Sequence, residues 1–159
     1  MKSLQELVTL NNPEFCLQFY DYLIEKINAK QPLHEFEEVS YLLLTMKLDI
    51  EMEGFIDLFY QLYSLRECRI VEENLRKFGF NRLADLFVEA KNLYIGGKSD
   101  ITEEEYRDID PFDNEDSLRS LDEIGEQIMA EGSGIYLIGE RVCEYARANT
   151  IRIVQEQSA

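Results

Sequence analysis

The stretch "HEFEEVSYLLLTMKLDIEMEGFIDLFYQLYS", His34 to Ser64, decides the fold. Phe36, Val39, Leu43, Met46 and Ile50 recur at steps of three and four residues, which puts them on one face of a helix from about His34 to Ile50. Gly54 interrupts the pattern. Phe55, Leu58, Phe59 and Leu62 then repeat at i, i+3, i+4 and i+7, so a second helical face follows closely. A half-buried strand would instead alternate apolar and polar side chains with a period of two, and this stretch does not.

The same periods extend outward. Upstream, Asn12 is placed to cap a helix with Pro13 at its first position, and Phe15, Phe19, Tyr22, Leu23 and Ile27 follow at helical spacing. Downstream, Ile70, Val71, Leu75 and Phe78 form a face that Gly79 is suited to end. Asn81 then opens a helix carrying Leu83, Leu86, Phe87, Ala90 and Leu93. Gly96–Gly97 is the clearest break. Thr102 and Glu105 match a capping box for a short helix, and Pro111 interrupts it. Leu118, Leu121, Ile124 and Ile128 mark a helix ended by "EGSG", and Tyr136, Gly139, Val142, Tyr145 and Ala146 mark the last. The tail from Thr150 is weakly patterned. With no hairpin signal and no repeat, the expected fold is all-α: a single compact domain of six to eight helices over residues 1–149, with a frayed tail over 150–159.

Composition narrows the function classes. The chain has 159 residues, about one domain, and 45% are hydrophobic, enough for a sizeable core. No run of eighteen apolar residues exists to span a membrane, and the first residues lack a signal peptide's apolar centre, so a cytoplasmic location is expected. Cys16, Cys68 and Cys143 are odd in number and far apart, a pattern read as reduced core thiols. The net charge is −16. Residues 99–159 carry 16 acids against 5 bases, so about two thirds of that charge falls in the last third of the chain. Direct binding to nucleic acid phosphates or to an anionic membrane needs a basic patch, and both are unexpected here.

The densest acidic stretch, "ITEEEYRDIDPFDNEDS" from Ile101 to Ser117, sets eight carboxylates against Arg107 alone. An EF-hand starting at Asp108 would need an oxygen ligand fifth and glycine sixth, where Phe112 and Asp113 stand. His34 is the one histidine, without the His-x-x-x-His or Glu-x-x-His spacing of metal sites and with no cysteine near it in sequence. "YIGGKSD" follows a helix and fits neither phosphate-binding glycine pattern. The aromatic cluster Phe55, Phe59, Tyr60 and Tyr63 reads as core, and the absence of a basic residue between Lys47 and Arg66 argues against stacking on single strands. No enzyme, cofactor or metal is expected.

Three segments, "HEFEEVSYLLLTMKLDIEMEGFIDLFYQLYS", "LRKFGFNRLADLFVEAKNLY" and "SLDEIGEQI", resemble the DNA-mimic protein family of small, acidic, bacterial helical domains. Glu51, Gly54, Phe55, Phe59 and Tyr60 match its first block, Phe78 and Gly79 a helix end, and Leu121 and Asp122 its last block. Met52 and Glu53 replace the Asn-Gly half of the family's turn, and "QLYS" replaces the Asn-x-x-Gly that closes its aromatic helix. The resemblance covers about residues 34–149. It implies an all-helical domain, often a homodimer, in which some members present carboxylates where DNA presents phosphates and so occupy a DNA-binding protein.

The expected role is therefore a non-enzymatic acidic protein that binds a basic partner, with a DNA mimic as its strict form. The candidate face is Glu103, Glu104, Glu105, Asp108, Asp110, Asp113, Glu115 and Asp116, continued by Asp122, Glu123 and Glu126. On this reading, reversing Glu103, Glu104 and Glu105 to lysine should leave folding intact. The alternative is a helical adaptor or immunity-type protein that binds by shape, its charge serving solubility.

Overall fold

A computed structural model describes residues 2–130 and 132–159, and it is all-helical. Met1, and Glu131 of the expected "EGSG" helix end, lie outside the described residues. Among the described residues there are nine α-helices: α1 (Leu4–Leu7), α2 (Asn12–Asn28), α3 (Glu35–Met52), α4 (Phe55–Asp57), α5 (Leu65–Lys77), α6 (Asn81–Tyr94), α7 (Glu103–Arg107), α8 (Glu115–Met129) and α9 (Ile138–Ser158). The one helix without a counterpart in the sequence reading is α1, a single turn. Contacts group the chain into two compact units, residues 1–44 with 137–159, and residues 45–136.

In the first unit, α2 packs on α9 and α1 packs on both. Its core gathers Leu4, Leu7, Phe15, Phe19, Tyr22, Leu23, Phe36 and Ala146, with Phe15 and Phe19 stacked at 5.2 Å. The cap of α2 is Asn11, which accepts from the Glu14 N–H at 3.0 Å, one residue earlier than expected. Lys26 and Glu37 are buried together. The Glu37 carboxylate accepts from Lys26 Nζ at 2.6 Å, Tyr22 Oη at 2.7 Å and the His34 N–H at 2.7 Å. Three strong donors offset the desolvation that would otherwise make a buried charge untenable. Burial first, and then the bond to Glu37, push the Tyr22 phenol up.

Two sequence expectations fail in this unit. Cys16 on α2 and Cys143 on α9 are disulfide-bonded, with Cα atoms 5.3 Å apart, and only Cys68 remains a free buried thiol. The partners are 127 residues apart, so local spacing carried no sign of the pair. The tail is also helical: α9 continues to Ser158 through a fully buried Thr150. The Thr150 hydroxyl donates to the Ala146 carbonyl at 2.8 Å, which lets a polar residue occupy the apolar stripe between Ala146 and the partly buried Ile153.

The second unit is built around α6, which packs on α5 and α8, while α4 packs on α8. Phe55 and Phe59 stack at 5.5 Å, and Phe87 of α6 meets both rings. Each such buried ring contributes roughly 1.5–3 kcal/mol, more than the 0–1 kcal/mol typical of exposed ion pairs. Apolar packing therefore dominates this core. Gly79 ends α5 with φ +84°, and the pair Phe80 N–H to Leu75 carbonyl and Gly79 N–H to Arg76 carbonyl forms a Schellman motif. Asn81 is the first residue of α6 rather than its cap, a position held by Phe80.

After α4 the chain widens into a π-helical turn, Leu58–Leu62, closed by the Tyr63 N–H on the Leu58 carbonyl at 2.9 Å. The extra residue in the turn shifts the helical register. Phe55, Leu58 and Phe59 are buried as their spacing predicts and Tyr63 as read with the core aromatics, but Leu62 is 46% exposed. Tyr60, read with the core aromatics, is 49% exposed.

Candidate acidic interaction face

The eleven candidate carboxylates come from α7, α8 and the segment between them, which holds Asp108, Asp110 and the 3-10 turn Pro111–Asp113, all in the second unit. They divide by use. The expected capping box opens α7: Thr102 Oγ1 accepts from the Glu105 N–H at 3.2 Å, and the Glu105 carboxylate accepts from the Thr102 N–H at 2.9 Å. That backbone bond chiefly holds the Glu105 carboxyl below its usual range. Glu103 turns away from α7. Its two carboxylate oxygens accept from the Leu65 N–H at 3.1 Å and the Arg66 N–H at 3.0 Å, the first two amides of α5. A helix N-terminus leaves its first N–H groups unpaired and carries a partial positive charge, so Glu103 satisfies both needs from 37 residues away.

Tyr106 holds the other side of α7. It is buried, and its hydroxyl donates to the Phe59 carbonyl at 2.9 Å inside the π turn. Burial pushes its phenol well up. Glu103 and Glu105 are thus part of the frame, and the expectation that lysine at 103–105 leaves folding intact does not survive this geometry. Glu104 and Asp108 are exposed. Asp110 is exposed but caps the following turn, accepting from the Phe112 N–H at 2.9 Å. Asp113 is exposed, and Asn114, not an acid, caps α8 by accepting from the Ser117 N–H at 3.1 Å.

On α8 the periodicity separates two faces. Leu121, Ile124 and Ile128 are buried, while Glu115, Asp116, Arg119, Asp122, Glu123 and Glu126 are exposed. Asp116, Arg119, Glu123 and Glu126 follow one another at helical spacing along the outer stripe, and Asp122 borders it. Arg119 pairs with Asp116 at 2.6 Å with both groups exposed. Here the sequence reading and the placement agree: the acids point out and the apolar residues point in.

The residues of the first motif block serve the frame, with one exception. Glu51 pairs with Lys47 at 2.7 Å. Gly54 has φ +80° and ψ −168°, a backbone region almost confined to glycine, which lets α3 end and α4 begin within two residues. Phe55 and Phe59 are core. Tyr60 instead meets the ring of Phe112 edge-on, centroids 6.4 Å apart, and Phe112 is 65% exposed. This pair, joining residues 52 positions apart, was invisible in the sequence.

The Cys68 thiol is buried and pushed up to about 12 by that burial, far from the thiolate a nucleophile needs. His34 is exposed, stacks on Phe36 at 6.0 Å, and lines an open cleft of about 550 Å³ with Tyr145, Asn149 and Arg152. Among the described residues, no group of three or more His, Cys, Asp or Glu side chains is placed to hold a metal ion. Among them, too, no helix is long and apolar enough to cross a membrane.

Fold and surface together define an all-helical acidic protein whose densest run of carboxylates lies on two helices and the segment between them. The chain belongs to the DMP19-like protein family, whose model matches residues 31–149. Neither a curated protein nor a solved structure matches it.

Proposed function

We propose that this protein is a non-enzymatic interaction protein that binds a basic partner through its acidic surface, in the strict form as a DNA mimic that occupies a DNA-binding protein. The observation that carries the reading is the outer stripe of α8, where Asp122, Glu123 and Glu126 stand exposed opposite a buried apolar face. Membership of the DMP19-like family supports it. Carboxylates fixed on a helix present charge without an ordering cost at binding, and a basic protein meets them as it would meet phosphates. Such a field steers association and weakens with salt.

The test is capture on the immobilised protein at low ionic strength, eluted by a salt gradient and repeated with D122N/E123Q/E126Q. Retained basic proteins should elute early in the gradient, and the triple variant should retain less. For strict mimicry, duplex DNA should compete the captured protein off. Retention that ignores both salt and the triple variant would refute the charge reading.

A further inference from the structure

The acids alone do not say how a partner would be positioned, and the exposed ring pair Tyr60–Phe112 does. We propose that this pair is an arginine-docking anchor, on which a basic partner lays a guanidinium flanked by the carboxylates of Asp110 and Asp113; the proposal rests on the charge reading above and specifies its contact point. Single exposed apolar residues are ordinary on any surface. Two rings from distant segments, exposed by 49% and 65% and in edge contact at 6.4 Å, are a prepared feature.

Both rings are held from beneath. Tyr60 rides on the π turn, whose neighbours Phe59 and Tyr63 are buried and whose Phe59 carbonyl is held by Tyr106. Phe112 sits between buried Pro111 and Asp113, with its N–H fixed by Asp110. The anchor therefore loses little conformational freedom on binding. Charge complementarity selects the occupant. Asp110 and Asp113 bracket Phe112 in the same turn, so an apolar partner would bury carboxylates unpaired, whereas a cation gains from them. Arginine fits better than lysine, because its planar guanidinium stacks on a ring while its N–H fork still reaches a carboxylate.

The experiment measures fluorescence anisotropy of labelled octa-arginine and octa-lysine with the intact protein and with Y60A, F112A and F112Y, at matched low ionic strength. Circular dichroism melts check that each variant is folded. The wild type should bind octa-arginine about fivefold more tightly than octa-lysine, the scale of one or two exposed cation–π contacts. F112A and Y60A should bring that ratio close to one while changing octa-lysine binding less than about twofold, the residual change expected when only the weaker lysine contact is lost. F112Y should keep the preference. An arginine preference that persists in F112A and Y60A, or equal wild-type binding of the two peptides, overturns the anchor and leaves the charge reading standing. If neither peptide binds the wild type, both fall together.

Discussion

Helices α7 and α8 both open on acids, three glutamates in one and Glu115 and Asp116 in the other, yet their carboxylates do different work. In α7, Glu103 is spent on the amides of Leu65 and Arg66 and Glu105 on that of Thr102, so two of three consecutive glutamates are hydrogen-bonded to backbone. In α8, the amide cap is an asparagine, Asp116 pairs with Arg119, and Asp122, Glu123 and Glu126 stand exposed. Acid density therefore does not distinguish a clamp from a surface. What distinguishes them is whether unpaired backbone N–H groups lie within reach.

The sharpest break of that comparison is Glu103→Lys. It removes two bonds to a charged acceptor and places a cation against the positive end of α5. A bond to a charged group is worth about 1.5–3 kcal/mol; water can replace the exposed bond to Arg66, so about one such bond is lost in full, and the dipole repulsion adds about 0.3–1. A loss of about 2–4 kcal/mol is expected, read as a lower denaturant midpoint. Tyr106→Phe comes next, because it leaves the Phe59 carbonyl buried without its donor. A loss of about 1–2 kcal/mol is expected, together with faster amide exchange in α7 and the π turn. If both variants melt like the wild type, α7 is a surface helix after all.

A smaller effect, of opposite sign, is expected at Asp49. It lies in the last turn of α3, where the helix end is negative, and its Oδ2 is shielded from solvent without a hydrogen-bond partner. Burial first, then Asp57 and Glu53, raise its carboxyl above the usual range. A raised carboxyl favours folding while protonated, so its contribution is full below the unfolded value near 4 and is lost as pH rises through the raised one. Asp49→Asn should therefore stabilise the protein by about 0.3–1 kcal/mol at pH 7 and gain progressively less as the pH falls toward 4. A gain independent of pH would locate the effect in packing instead.

These side chains also show what a sequence can carry. Thr102 and Glu105 are three residues apart and their capping box was legible, as were the faces of α2, α3, α5, α6 and α8, because periodicity and local caps are properties of neighbours. Glu103 was assigned to the surface because its partners lie 37 and 38 residues upstream. Cys16 was read as a free thiol for the same reason. Leu62 was placed on the buried face and is exposed because a π turn adds a residue that no 3.6-residue period anticipates. Thr150 looked like the start of a frayed tail because a hydroxyl that bonds back to its own helix can hide among apolar residues. On α8, orientation was legible and purpose was not, since solubility and charge presentation require the same exposed acids.

That ambiguity can be resolved by the least disruptive variant. D122N/E123Q/E126Q removes three charges from an exposed stripe and touches no cap, so folding stability should change by less than about 0.5 kcal/mol in either direction. Relief of like-charge repulsion at i, i+3 and i+4 favours a slight gain. Binding should respond differently. If the stripe contacts a basic partner, the slope of log affinity for octa-lysine against log salt should become shallower, because fewer counterions are released when fewer charges pair. An unchanged slope with unchanged stability would leave the stripe to solubility. It would also shift the charge reading onto Glu104, Asp108 and the acids around Phe112. The variant thus separates α8 from α7 in the one property their sequences share.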